Sequence, residues 1–235
     1  MDEELDAALG ALERSAHHPA DFSQTFVESF PISGAAISTL GAFFGNETLS
    51  ASDIVAARLD ELQFDLGEGP CWDAMNSAKP IFVDDLSQPN QTRWPAFVSA
   101  AADHPVRSLF AFPLVLGTVR IGAVDLYSTS RMQLDATESR RASTMASAVS
   151  SHVLRRALDE LGVDIDDPGN AFSRRLVHQA TGMVIAQLRQ SPDDAKLVIQ
   201  GHAFATERSM MEVAQDIVDR KLAFRHGDAG IEVAP

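Results

Sequence analysis

The sequence predicts an α+β protein, an antiparallel sheet bracketed by helices and followed by a separate unit of three helices. Three observations carry that prediction. Two strongly apolar segments, Val106 to Leu116 and Val119 to Ser128, are joined only by Gly117-Thr118, a spacing that allows an antiparallel hairpin and no crossover. Segments at both ends of this region place apolar residues every three or four positions, as amphipathic helices do. Gly162 to Asn170, rich in acids and containing Pro168 and Gly169, reads as a linker, beyond which only helical periodicity continues.

The elements follow in chain order. Leu5, Ala8, Leu9, Leu12 and Ala16 form one helical stripe, and a second short helix is expected over Asp21 to Glu28. The intervening His17-His18 pair is not read as a metal site, because adjacent helical residues point about 100° apart. Ala35 to Leu40 and Thr48 to Ala51 read as strands. Ser52-Asp53 offers an N-cap to a helix carrying Ile54, Ala57, Leu59 and Leu62. Gly67-Glu68-Gly69-Pro70 breaks the chain before a helix over Cys71 to Asn76. Ile81 to Val83 is a brief strand, and Trp94-Pro95-Ala96-Phe97 opens a helix to Ala102. The central hairpin is apolar at nearly every position, so it should be covered. Asp135 to Leu161 returns to helical periodicity through Met145, Val149, Val153, Ala157 and Leu161, widened by Leu154 and Leu158.

Beyond the linker, the first helix runs over Ala171 to Arg189 with Leu176, Ala180, Met183, Val184 and Leu188 on one face. Ser191-Pro192-Asp193-Asp194 starts the second: a capping Ser, Pro in the first turn, and two acids at the positive end of the dipole. Ser209-Met210-Met211-Glu212 is a capping box opening the third. Three short apolar faces make a small core that needs the neighbouring long helix or a second subunit to complete it. Arg225 to Pro235 has no periodicity and is expected to fray. The organisation is therefore residues 1–161, a linker at 162–170, a helical domain at 171–226 and a tail at 227–235.

Composition narrows the function. The 235 residues hold one cysteine, Cys71, which forms neither an internal disulfide nor a thiolate metal cage and suits a reducing cytosol. The N-terminus lacks a secretory signal, and the apolar run Leu109 to Gly117 is far short of the roughly 20 residues that cross a bilayer. A cytoplasmic protein without membrane contact is expected. The net charge of −14 opposes nucleic-acid binding over most of the surface. From Pro168 to His226, however, the bases (Arg174, Arg175, Arg189, Lys196, Arg208, Arg220, Lys221, Arg225) slightly outnumber the acids. No nucleophile–base pair or metal-ligand constellation is visible, so no enzyme and no metal are expected, and no cofactor is assigned.

Ordered strings in the first region then carry a resemblance: Gly67-Glu68-Gly69-Pro70-Cys71, Val83-Asp84-Asp85-Leu86, Arg93-Trp94-Pro95-Ala96-Phe97, Phe112-Pro113-Leu114 and Ile121 to Tyr127. This run resembles GAF domains of the actinobacterial regulator type over Phe22 to Leu158. The resemblance implies an antiparallel sheet with helices on one face, and flanking helices that pair across a homodimer. It also implies a small-molecule cavity bordered by the Asp-Asp loop and the following helix, with Asp84, Trp94, Phe97, Ser108 and Phe110 near any ligand. Read from the residues alone, Trp94 and Phe97 are a helix's core face and Gly67 and Gly69 a tight turn. The loop lacks the Gly-Lys-Ser/Thr ending of a phosphate-binding loop. Cys71 is followed by Trp72, where a bilin-bearing GAF domain commonly has His. One cysteine cannot run the thiol cycle of a GAF-fold sulfoxide reductase. A redox-sensing thiol and a buried structural one stay open.

Downstream, Gln179-Ala180-Thr181-Gly182-Met183-Val184, Ser191 to Ala195, Ala203-Phe204-Ala205 and Glu212-Val213-Ala214 resemble ANTAR domains from Phe172 to Phe224. That resemblance implies an RNA-binding module that recognises tandem hairpins and prevents transcription termination. Contacts are expected from Arg174, Arg175 and His178 on the first helix, with Lys196 and Arg208 beyond it; a solvated helix face is the alternative for each. Two positions depart from the family, Thr181 in place of Lys and Gln200 in place of Arg, which removes two cations and lowers affinity for phosphate. The implied function is a signal-responsive regulator of termination, with a small-molecule or redox-sensing module of weakened RNA binding as the alternative.

Overall fold

A computed structural model of the chain describes residues 3–15, 18–41, 44–88, 93–160, 175–227 and 230–234. The linker expected at 162–170, His17, Ala16, Leu161 and the side chain of Leu158 lie outside the described residues. The chain divides into two compact units, Met1–Phe172 and Ser173–Pro235.

In the first unit, α1 (Glu3–Arg14) and α2 (Phe22–Ser29) precede β1 (Gly34–Thr39) and β2 (Glu47–Ala51). Then come α3 (Ile54–Leu66), α4 (Pro70–Ser77), β3 (Ile81–Val83), α5 (Pro95–Ala101), β4 (Ser108–Leu116), β5 (Val119–Ser128) and α6 (Ala136–Glu160). The five strands form one sheet in the order β2-β1-β5-β4-β3, every pairing antiparallel. The apolar hairpin lies at its centre, with Ser108 opposite Ser128 and Leu116 opposite Val119.

Alternation along these strands sends side chains to two faces. Phe110, Phe112 and Leu114 join Ile37, Val124 and Leu126 beneath α1, α2 and α6. Leu109, Tyr127 and Ala36 face the other way, toward Leu59 and Leu62 of α3 and Phe97 of α5. Ala123 packs with Cys71 and Met75 of α4 on that second side. Helices therefore cover both faces, not one as the resemblance implied. Strands that are apolar at consecutive positions have no face left for water.

The same packing accounts for the flanking stripes. Leu12 of α1 and Met145 and Val149 of α6 are buried against the sheet of their own chain. The stripes are thus explained within one protomer and do not by themselves imply a dimer.

The second unit has α7 (Arg175–Leu188), α8 (Pro192–Ala205), α9 (Met210–Val218), and a hairpin of β6 (Phe224–Gly227) and β7 (Gly230–Val233). Its core joins Val177, Ala180, Val184 and Leu188 of α7, Ala195, Ile199 and Ala203 of α8, and Met210, Val213, Ala214 and Ile217 of α9. Ser191 caps α8 by accepting from the Asp194 amide, and Ser209 and Glu212 form a complete capping box on α9.

Described residues of the segment expected to fray form this hairpin instead, and its first residue, Phe224, completes the small core. Phe224 is buried and meets the His202 ring edge-on at 5.4 Å. Its backbone N–H donates to Gln187 Oε1 at 2.9 Å, and His226 Nε2 lies 2.9 Å from the Leu188 carbonyl at the end of α7. An otherwise unpaired terminal carbonyl gains a partner there.

Candidate functional site

Of the five residues expected around a small-molecule cavity, the fold brings Trp94 and Phe97 together and separates Phe110 from them. Trp94 and Phe97 sit in the core layer of α3 and α5, whereas Phe110 points to the opposite face of the sheet. Even-numbered β4 residues share one face, so Ser108 accompanies Phe110. Its hydroxyl donates to the Asp84 carbonyl at 2.6 Å, and the Asp84 carboxylate accepts from Gln133 at 2.5 Å. These are loop-fixing contacts. Trp94 donates its ring N–H to Asp73 at 3.1 Å and carries the Arg93 guanidinium 4.3 Å above its ring. The Phe97 amide donates to Glu68 at 2.9 Å.

The turn before α4 has a steric origin. Gly67 and Gly69 hold φ values of 66° and 140°, and a Cβ on Gly69 would lie 2.4 Å from Gln63 Oε1. That close approach lets Gln63 organise a buried polar group that the sequence reading missed. Its Nε2 donates to Asp125 on β5, its Oε1 accepts from the Cys71 amide at 2.8 Å, and its own carbonyl accepts from the Trp72 ring at 2.7 Å. One helical turn earlier, Asp60 accepts from the Ser38 hydroxyl at 2.6 Å and from Thr48. Asp60, Gln63 and Asp125 are all buried, and Asp125 Oδ1 has no hydrogen-bond partner among the described residues. The available signal was an acid inside an otherwise apolar strand, with Asp60 and Gln63 one turn apart on a helix that packs against it.

Electrostatics follow from that burial. Desolvation, reinforced by the neighbouring Asp60 charge, pushes the Asp125 carboxyl up to about 8, against a lowering by the Gln63 hydrogen bond. Desolvation first, then Asp125 and Asp60, raises the Cys71 thiol well above its ordinary value. A thiolate is strongly disfavoured there, which fits a structural cysteine rather than a reactive one. Among the described residues no group of three His, Cys, Asp or Glu side chains is placed to hold a metal ion.

On the second unit, Arg174 and the side chain of Arg175 lie outside the described residues. His178 is exposed on α7, while Thr181 turns its hydroxyl back to the Val177 carbonyl at 2.8 Å. Lys196 and Gln200 are half-buried on α8. Arg208 follows α8, its guanidinium donating to Asp216 at 2.7 Å and to the Glu212 carbonyl at 3.1 Å. Burial, then the Arg208 charge, holds the His202 imidazole below its usual range. Also unforeseen are two large apolar side chains left in solvent on α8, Leu197 and Phe204.

Comparisons with known proteins agree with both units. The family model described as GAF domain matches residues 13–154, and the ANTAR domain model matches residues 171–218. Because the first match spans more than half of the sequence, the chain belongs to the GAF domain family, and an ANTAR domain follows that domain. The fold is similar to the GAF domain of an Acinetobacter phosphoenolpyruvate-protein phosphotransferase (TM-score 0.53, 9% identity, 71% of this chain and 100% of that one). The GAF domain of the corresponding Coxiella burnetii protein gives a TM-score of 0.50 at 10% identity over 67% of this chain and 97% of that one. The chromophore-binding domain of an R. palustris bacteriophytochrome gives 0.50 at 7% identity over 67% and 62%. At such identities the likeness is one of fold alone. No curated protein matches the sequence. Among the described residues no helix is long and apolar enough to cross a membrane. The chain therefore joins a sensor-type domain to a regulatory output domain.

Proposed function

We propose that this chain is a signal-responsive regulator that binds paired RNA hairpins through its ANTAR domain and so controls transcription termination. The GAF domain gates that binding. The observation that carries this reading is the succession of the two domain matches, sensor first and RNA-binding module second, in one chain. The signal enters the first domain as a small molecule or a change of protonation and leaves through α6, whose last residue precedes the ANTAR match. A homodimer supplies the second copy of the module that a pair of hairpins requires. Its contact would use the partly buried outer residues Leu5, Leu9 and Leu154.

Lys196 and Arg208 supply the cations, and unstacked loop bases supply the specificity. The alternative, a sensor with weakened RNA contact, is favoured by Thr181, whose short hydroxyl bonds its own helix where the family often has Lys. Selection from a library of two tandem stem–loops with randomised loops separates the two readings. The proposal expects enrichment of defined loop sequences and weaker binding to either stem–loop alone. An unenriched library, or equal affinity for single and paired stem–loops, contradicts it.

A further inference from the structure

Helix α8 buries one face and leaves two large apolar side chains on the opposite one. Ala195, Ile199 and Ala203 fill the core, while Leu197 and Phe204 stand 63% and 71% exposed on the far side. Between them, at the spacing of helical neighbours, lies Gly201, where an added Cβ would meet nothing within 4 Å. The result is flat apolar ground ending in an aromatic ring, with one turn of bare backbone beside it.

Arg208 follows the helix, its guanidinium held against α9 by Asp216 and the Glu212 carbonyl. After α8 the chain turns through Glu207 at φ 54°, and the Arg208 N–H donates to the Ala203 carbonyl at 3.0 Å. The Arg208 charge reaches His202 in the same last turn. The acids Asp193 and Asp194 occupy the first turn of α8, about 16 Å away along the axis at the helical rise. The exposed ring therefore stands at the end of the helix remote from those two carboxylates.

We infer that Phe204 is a stacking surface for an unstacked RNA base, with Leu197 and Gly201 as its floor. This rests on the RNA-binding reading of the ANTAR domain. Size favours a base over a protein partner. Two side chains fall well short of the roughly 800 Å² per partner that a stable protein interface buries, whereas one aromatic ring matches one base. Stacking is tolerant of base identity and insensitive to salt, while phosphate contacts are strongly salt-dependent.

The test uses the full chain and a tandem stem–loop RNA recovered by the selection above, titrated by fluorescence anisotropy at several salt concentrations. F204A is expected to weaken binding about tenfold with the slope against salt unchanged, and F204W to restore it. Removing the base of one loop nucleotide is expected to weaken the wild type and to add nothing to F204A. Wild-type binding that F204A leaves intact overturns this inference alone. A wild-type chain that selects no RNA overturns the earlier reading with it. A change in the molar mass of F204A by light scattering identifies the ring as a protein contact and also overturns the inference.

Discussion

Gln63 on α3 and Asp125 on the central strand β5 are joined by a buried hydrogen bond from the Gln63 amide to the Asp125 carboxylate. The Gln63 carbonyl oxygen meanwhile fixes the first turn of α4 through Cys71. One side chain thus ties the sheet to the two helices of that face. Asp125 is the energetically weakest point of the arrangement, since its second oxygen is buried without a partner among the described residues.

The pH dependence follows from the raised Asp125 pKa of about 8. In the unfolded chain the group titrates near 4, so between about pH 4 and pH 8 the folded state binds the extra proton. Stability therefore falls as pH rises through that window and levels off above it. Asp125→Asn mimics the protonated acid and should remove this component. The melting temperature of the variant, relative to wild type, is expected to rise steadily from pH 5 to pH 8.5. A constant difference across that range would show that Asp125 titrates normally.

Cys71 is expected to be inert in the folded protein. It is buried and its thiol is held protonated by desolvation and nearby acids. A disulfide-exchange reagent should label it only after denaturant is added. Rapid stoichiometric labelling of the native chain at pH 7 would contradict this and restore a redox-sensing role.

The capping box on α9 gives a local prediction. Ser209 accepts from the Glu212 amide while Glu212 accepts from the Ser209 amide. Ser209→Ala should cost about 1 kcal/mol of helix stability. Exchange of the α9 backbone amides is then expected to accelerate about fivefold, with the GAF-domain amides unaffected. Unchanged protection in α9 would mean that packing of Met210, Val213 and Ile217 alone holds the helix.

Arg208→Gln tests the electrostatic part of RNA binding. If one phosphate contact is lost, the slope of log affinity against log salt should become shallower by about 0.7–0.9. Gln keeps a hydrogen-bond donor near Asp216, so the fold is preserved. An unchanged slope would assign Arg208 only to its intramolecular bonds with Asp216 and Glu212.

Much of the fold was legible because its signals are local. Ser191, Ser209 and Glu212 announced helix starts, Gly117-Thr118 announced the hairpin, and consecutive apolar residues marked β4 and β5 as central. Facing was harder. Ser108 and Phe110 were grouped with Trp94 and Phe97 from the family's cavity, although strand alternation places them on the opposite face from Leu109. The acid cluster escaped because Asp60, Gln63 and Asp125 converge only through tertiary packing. Exposure of Phe204 was equally hidden: an aromatic in a helical run reads as core until Ala195, Ile199 and Ala203 are seen to fill it. The terminal hairpin left a weak trace, Gly227 and Gly230 between alternating Phe224-Arg225-His226 and Ile231-Glu232-Val233.

The central claim, that this chain acts by gripping paired RNA hairpins, is tested most directly by crosslinking it to RNA in its own cells and sequencing what it holds. The account predicts enriched transcripts carrying two adjacent stem–loops, the second overlapping a terminator, with enrichment lost in the Arg208→Gln and Phe204→Ala double variant. Reads no more abundant than those from an uncrosslinked control, or enriched sites without paired stem–loops, would contradict it.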